Sequence, residues 1–393
     1  MLTKVFLCFI IIVTNKNNKY KIIKREIVFN AFAETYNFKK TGGQIMKLAF
    51  NCDYLEGAHE KILKRLIDTN REKTVGYGDD PYCAMAAKKI KAACGRPEAK
   101  VYFFVGGTPA NATIIDGILR NYQGVISADT GHINGHEAGA IETAGHKVLA
   151  LPHKDGKLQR EDVESYLKDF YDNNTYPHMV QPGMVYISQP TENGTLYTLE
   201  ELTALSRVCK KHNLPLYADG ARLAYGLATP GNDVTLKDLA ELCDAFYIGG
   251  TKCGRLFGEA AVITNPDILP CLFTTMKQHG AVLAKGRLLG LQFDEMFTED
   301  LYLHIGESAI KYADEIAGRL VKLGYPIYMQ SPTNQRFAII DNKTLKKFGE
   351  EIEYGYWRKV DENHTAIRLA TSWRTTREDV DRLIRVLEKY KPL

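Results

Sequence analysis

Between residues 100 and 264 the chain alternates short apolar runs with stretches of helical spacing, and this alternation restricts the possible folds more than any other feature. Apolar runs at 100–105, 124–128, 147–151, 184–188, 214–218, 245–248 and 260–264 read as buried strands, being rich in β-branched and aromatic residues. The intervening stretches at 108–121, 159–170, 199–212 and 236–243 carry apolar residues at helical intervals. Such alternation predicts an α/β fold with a mostly parallel, doubly wound sheet. From about residue 285 the pattern changes. Helical stretches at 283–297 and 303–323 precede strand-like runs at 336–340 and 365–370 and a closing helix at 377–390, which predicts a smaller C-terminal α+β domain. The expected division is an N-terminal arm and helix over 46–75, a large domain over 76–284 and the small domain over 285–393.

The bulk properties narrow the function classes. The chain is 393 residues long, 45% apolar and 25% charged, which is ordinary for a globular enzyme. Its net charge of +4 divides into +6 over residues 1–45 and −2 over the rest, so the body calls for neither nucleic acid nor an anionic membrane. The eight cysteines are scattered without a C-x-x-C pair, so no metal site is expected and reduced thiols in the cytoplasm are.

The first 45 residues stand apart. Lys4 followed by an apolar run over residues 5–13 resembles the start of a signal peptide, but nine residues cannot span a bilayer and no small-residue cleavage site follows promptly. Thr41-Gly42-Gly43-Gln44-Ile45-Met46 is what a purine-rich ribosome-binding site encodes when read in frame. The expectation is a functional start at Met46, with 1–45 a non-native or disordered extension.

Strand ends of a parallel sheet converge on one crevice. Asp219 stands at the end of the run 214–218, with Arg222 three residues on, and Lys252 follows the run 245–248 across Gly249 and Gly250. At the end of 100–105, Gly106-Gly107-Thr108-Pro109 opens a helix, with Thr108 expected as N-cap and Pro109 as first helical residue; backbone N–H groups there suit a phosphate. After 124–128 the loop Asp129-Thr130-Gly131-His132-Ile133-Asn134-Gly135-His136-Glu137 offers two histidines, of which His132 lies nearer the strand. Each alone has a bland reading: a solvated lysine, a helix-capping Asp, a surface ion pair, a structural histidine. Together they suit pyridoxal 5'-phosphate held as a Schiff base on Lys252, with Asp219 against the pyridine nitrogen, Gly107 and Thr108 on the phosphate and His132 stacked on the ring.

These residues resemble the threonine aldolase / β-eliminating lyase family of fold-type I pyridoxal-phosphate enzymes, over nearly all of 46–393. Asp219-Gly220-Ala221-Arg222 resembles the family's D-G-A-R motif, and Lys252 sits where its Schiff-base lysine follows a strand. The resemblance implies that Arg222 belongs to the cofactor site, that Arg368 grips the substrate α-carboxylate, and that Tyr77-Gly78-x-Asp80 reaches a neighbouring subunit's site in a homotetramer. Two departures bear on the substrate. The family's E-N-T-H-N-G is Gln189-Pro190-Thr191-Glu192-Asn193-Gly194 here, so Glu192 replaces a histidine that contacts the substrate hydroxyl; Cys52 precedes Asp53 where the family has Ser. Cys52, Tyr77, Glu192 and Arg368 are therefore the candidate substrate residues, and Lys252, His132 and Asp219 the candidate catalytic ones. The expected reaction is Cα–Cβ cleavage of a β-hydroxy-α-amino acid such as threonine or allo-threonine to glycine and an aldehyde. The alternative is β-elimination, or transamination, of another amino acid, and Glu192 is the feature that favours it.

Overall fold

The computed structural model describes residues 47–392; the extension over 1–45 and the start at Met46 lie outside the described residues. Its larger sheet has seven strands in the order β2-β8-β7-β6-β5-β3-β4. These are β2 (Lys100–Phe104), β3 (Gln123–Ala128), β4 (Lys147–Leu151), β5 (Gln181–Ser188), β6 (Leu216–Asp219), β7 (Ala245–Gly249) and β8 (Glu259–Ile263). The strands from β7 through β4 pair in parallel, whereas β8 runs antiparallel to both β7 and β2. The chain turns straight back from β7 into β8, and a connection that short only permits antiparallel pairing.

Helices cover both faces, so successive residues of one strand enter opposite apolar layers. Ile126, Val185, Ile187, Leu216, Ala218, Phe246 and Ile248 pack in one layer. Their neighbours Val125, Met184, Tyr186, Tyr217, Ala245 and Tyr247 pack in the other. This leaves the carboxyl ends of β5, β6 and β7 as the open edge where polar side chains gather.

The second sheet has five strands in the order β1-β11-β12-β10-β9: β1 (Leu48–Phe50), β9 (Ile327–Met329), β10 (Gln335–Asp341), β11 (Ile352–Lys359) and β12 (His364–Ala370). The helices Glu307–Lys322 and Arg377–Lys389 bury Ile316, Leu320, Val380, Leu383 and Leu387 against it. β1 pairs in parallel with β11, so the segment that follows it, Asn51 to Tyr54, is anchored at the small sheet.

Three local expectations are corrected. The stretch 303–323 is two helices, Leu301–His304 and Glu307–Lys322, broken before Gly306. A Cβ on Gly306 would come within 2.7 Å of the Ala224 carbonyl, so the chain passes there too closely for any other residue. The strand Ile352–Lys359 and the helix Asn342–Glu351, capped by Asp341, complete the small sheet between the expected runs 336–340 and 365–370. Finally, Thr108 is not an N-cap. The helix runs Gly107–Ile118 with an extended Gly106 before it and no side chain capping it, so its first N–H groups are left without a side-chain acceptor.

Candidate active site

The ends of β5, β6 and β7, with the helix start at Gly107 and the loop around His132, enclose a cavity of about 270 Å³. Gly107, Thr108, His132, Glu137, Ser188, Glu192, Asp219, Arg222, Lys252 and Glu259 all line it, together with Tyr54. A larger hollow of about 780 Å³ between Leu158 and Asp233 contains none of these residues. β6 and β7 can deliver their terminal residues side by side because Gly249 lies against the turn after β6. A Cβ there would come within 2.4 Å of the Gly220 and Ala221 carbonyl oxygens.

Asp219 is 4% exposed and carries four hydrogen bonds. Its Oδ1 accepts from the Tyr247 hydroxyl at 2.5 Å and the Ala221 N–H at 2.9 Å. Its Oδ2 accepts from the Tyr186 hydroxyl at 2.8 Å and Asn111 Nδ2 at 3.0 Å. Asn111 is itself held by the Tyr217 hydroxyl, which donates to its Oδ1 at 2.9 Å. Burial drives the Asp219 pKa upward, but the attraction of the His132 imidazolium form and the donors Tyr247, Asn111 and Ala221 outweigh it, and the carboxyl lies below its ordinary value. The result is a buried anion supported by neutral donors, with no Lys or Arg in contact with it among the described residues.

Glu137 links this network to His132. Its Oε1 accepts from Asn111 Nδ2 at 2.7 Å and lies 2.8 Å from His132 Nδ1, while its Oε2 is buried without a partner. Burial opposes a charge on His132, yet the Glu137 hydrogen bond and the charges of Asp219 and Glu137 raise its pKa. Glu192 holds the same loop from the other side. Its Oε1 accepts from the His132 N–H at 2.9 Å and from Ser188 Oγ at 2.6 Å. Burial raises its pKa, against the pull of the Ser188 hydrogen bond.

Lys252 reaches the cavity with its Nζ in no hydrogen bond or ion pair among the described residues, 5.9 Å from the Tyr54 ring centroid. Under its loop, Glu259 accepts from the Gly250 N–H at 2.6 Å and from Thr251 Oγ1 at 2.8 Å. Burial pushes the Glu259 carboxyl up to about 7.

The structure brings Lys252, Asp219, His132, Gly107, Thr108, Arg222 and Glu192 to one cavity, and places the other candidates elsewhere. Arg222 lines the wall, but its guanidinium is committed to Asp53, donating from Nε at 2.7 Å and from Nη2 at 2.9 Å. Arg368 and Cys52 are not in the cavity lining; both lie near Tyr54, which is. Arg368 donates from Nη1 to Gln335 Oε1 at 3.0 Å and from Nη2 to the Asn51 carbonyl at 2.9 Å, and its buried Nε has no partner. Tyr77 is outside the cavity, 47% exposed with a φ of +60°, its ring under Lys277 Nζ at 4.5 Å.

Sequence reasoning missed Glu137, Asn111, Glu259 and the tyrosines Tyr186, Tyr217 and Tyr247. The tyrosines sit in apolar strands, where a tyrosine reads as core; the signal was one on each of three strands, two of them beside the Asp219 strand. Asn111 was the one amide in the helix Gly107–Ile118.

The residues fit pyridoxal phosphate on three observations. A buried carboxylate hydrogen-bonded only by neutral donors among the described residues meets the need of a pyridinium nitrogen, and a lysine amine without a described partner shares its cavity. An uncapped helix start opens on the same space, where a Cβ on Gly107 would stand 3.0 Å from the Tyr247 hydroxyl.

Comparison with known proteins agrees with this geometry. Residues 50–385 match the family described as Beta-eliminating lyase. The structure of a threonine aldolase from Leishmania major is 40% identical, with a TM-score of 0.84, over 88% of this chain and 99% of that one. The low specificity L-threonine aldolase of Pseudomonas aeruginosa is 29% identical over 270 residues, 68% of this chain and 77% of its own length. An aspartate aminotransferase from Thermus thermophilus shares the fold alone: 14% identity and a TM-score of 0.65 over 94% of this chain and 100% of that one.

Proposed function

This chain belongs to the β-eliminating lyase family, and on that premise we propose that it is a pyridoxal-phosphate-dependent carbon–carbon lyase that splits threonine or allo-threonine into glycine and acetaldehyde. The observation that carries the reading is the pair Asp219 and Lys252, on adjacent strand ends with an uncapped helix start across the same cavity.

Lys252 would hold the cofactor through its amine, Asp219 would face the pyridine nitrogen, and the N–H groups at Gly107 and Thr108 would receive the phosphate. His132 would lie on the ring. When bound, pyridoxal phosphate supplies the electron sink that accepts the pair released from the Cα–Cβ bond. The chain's own residues must then do three things. Arg368, which lies beside the cavity-lining Tyr54, would fix the α-carboxylate; its two protein partners are neutral oxygens, so no carboxylate among the described residues competes for it. A base takes the proton of the β-hydroxyl. His132 Nε2 is suited to this when the imidazole is neutral, its Nδ1 being held by Glu137, and so is Glu192 Oε2 when the carboxyl is ionised, since it accepts from no other described residue. A proton is returned to Cα, and the Lys252 amine, which lines the same cavity, would carry it.

Aldehyde release from threonine by the purified protein, abolished in Lys252→Ala, tests the reading; release unchanged in that variant contradicts it. The second reading, elimination or transamination, keeps one specific support, the carboxyl of Glu192 in the cavity.

We also propose a homotetramer in a reducing compartment. Tyr54, Leu55, Val75, Tyr77 and Ile67 are exposed by 47–75% on one protomer, and the cysteines of the described residues are free. No helix among the described residues is long and apolar enough to cross a membrane.

A further inference from the structure

Gln335 begins β10 with no exposed surface. Its two amide ends reach opposite parts of the site. Oε1 accepts from Arg368 Nη1 at 3.0 Å, and Nε2 donates to the Glu192 carbonyl at 3.4 Å. A guanidinium only donates and a carbonyl only accepts, so the amide has one allowed orientation. The segment Thr191 to Gly194 is held on the same side by Ser331 and Thr333, whose hydroxyls donate to the Gly194 carbonyl at 3.2 and 3.1 Å. Neither of those two hydroxyls bonds Arg368, whereas Gln335 does.

Arg368 has few other restraints. No carboxylate among the described residues pairs with it, its Nε is unpartnered, and its other protein contact is the Asn51 carbonyl. Gln335 therefore contributes half of the hydrogen bonds that aim the guanidinium, and the same side chain holds the backbone that carries the Glu192 carboxyl into the cavity.

We propose that Gln335 is a positioning residue for substrate recognition: it sets the separation between the Arg368 guanidinium and Glu192, and so selects β-hydroxy-α-amino acids by the span from α-carboxylate to β-substituent. The proposal rests on the reading of Arg368 as the carboxylate grip. Glutamine suits the position because it orients the cation without neutralising it. A glutamate would pair with Arg368, compete with the substrate's carboxylate and lose the donor to Glu192. A methionine would fill the space and leave both partners unsatisfied.

The test compares Gln335→Glu, Gln335→Met and Arg368→Gln as loaded enzymes. It measures KM and kcat for threonine and for a longer β-hydroxy amino acid, and glycine affinity by calorimetry. Gln335→Glu is expected to raise the threonine KM and weaken glycine about tenfold, an effect of ordinary size for one charge-assisted contact, while kcat falls much less. Gln335→Met is expected to shift the preference between the two substrates and to weaken glycine less than Gln335→Glu. If both Gln335 variants keep glycine affinity and substrate preference while Arg368→Gln loses affinity, the positioning role is overturned and the grip stands. If Arg368→Gln also keeps glycine affinity, the reading of Arg368 falls, and the proposal with it. A fall in kcat alone, with KM and glycine affinity held, also overturns it.

Discussion

Arg222 closes on Asp53 with two parallel hydrogen bonds, at 2.7 and 2.9 Å, and ties the turn after β6 to the segment that follows β1. This pair joins residues 169 apart in sequence, and both side chains are almost wholly buried. Asn334 Nδ2 adds a third donor to Asp53 at 2.9 Å. Burial would raise the Asp53 carboxyl, but the Arg222 charge and hydrogen bond, the Lys252 charge and Asn334 together lower it to about 2. Asp53→Asn leaves a buried guanidinium unpaired and is expected to destabilise the protein by about 3 kcal/mol, measured by urea unfolding at neutral pH. The sign with pH follows from the lowered value. The pair's contribution is fully present above pH 3.8, the ordinary value for Asp, and is lost as pH falls through about 2. Asp53→Asn should therefore lack the acid-side loss that the wild type shows in that window.

Glu259 gives the opposite sign. Burial raises it to about 7, against the pull of the Gly250 N–H, the Thr251 hydroxyl and the charges of Lys252 and Arg255. The folded protein thus holds a proton that the unfolded chain releases. The associated stability is complete below the ordinary value of 4.5 and is lost as pH rises through about 7. Glu259→Gln copies the protonated form, so it is expected to flatten the slope of stability between these values. Thermal unfolding across that range decides it: an unchanged slope would show that Glu259 does not titrate there.

Removing the anion at the end of β6 should cost the chemistry more than the fold. Asp219→Asn keeps the shape and most of the hydrogen bonding of the tyrosine and Asn111 network. It is expected to lower kcat by about a hundredfold or more, the scale for a preorganised charge, with a melting temperature close to wild type. Tyr247→Phe removes one of four donors and should produce a smaller loss in the same direction. Equal kcat in Asp219→Asn and wild type would contradict the assignment of Asp219.

Cofactor capture can be followed without turnover. Borohydride reduction of the protein mixed with pyridoxal phosphate is expected to fix the cofactor's mass on the peptide containing Lys252, because that amine has no competing partner in the cavity. Labelling at another lysine would contradict it.

Much of this site was legible in the sequence because its chemistry sits where the fold changes character. Asp219, Lys252 and Gly107 each follow an apolar strand, and the strand order alone brings such ends together. What could not be read were contacts made across long sequence separations. Arg222 looked like part of a cofactor site, yet its partner is Asp53, far back in the chain. Glu137, Asn111 and the three tyrosines were hidden because a buried polar residue declares its role only through its partner. Glu192 was noticed as a departure, but only the structure gave its contact with the His132 N–H. Tyr77, expected at a neighbouring subunit's site, lies outside this chain's own cavity with its ring against Lys277.

The measurement that tests the account most directly is the product balance from L-threonine and L-allo-threonine with the cofactor-loaded protein. The expected result is glycine and acetaldehyde in equal amounts, lost in Lys252→Ala. A 2-oxo acid with ammonia in place of glycine would contradict carbon–carbon cleavage and establish elimination at this site instead.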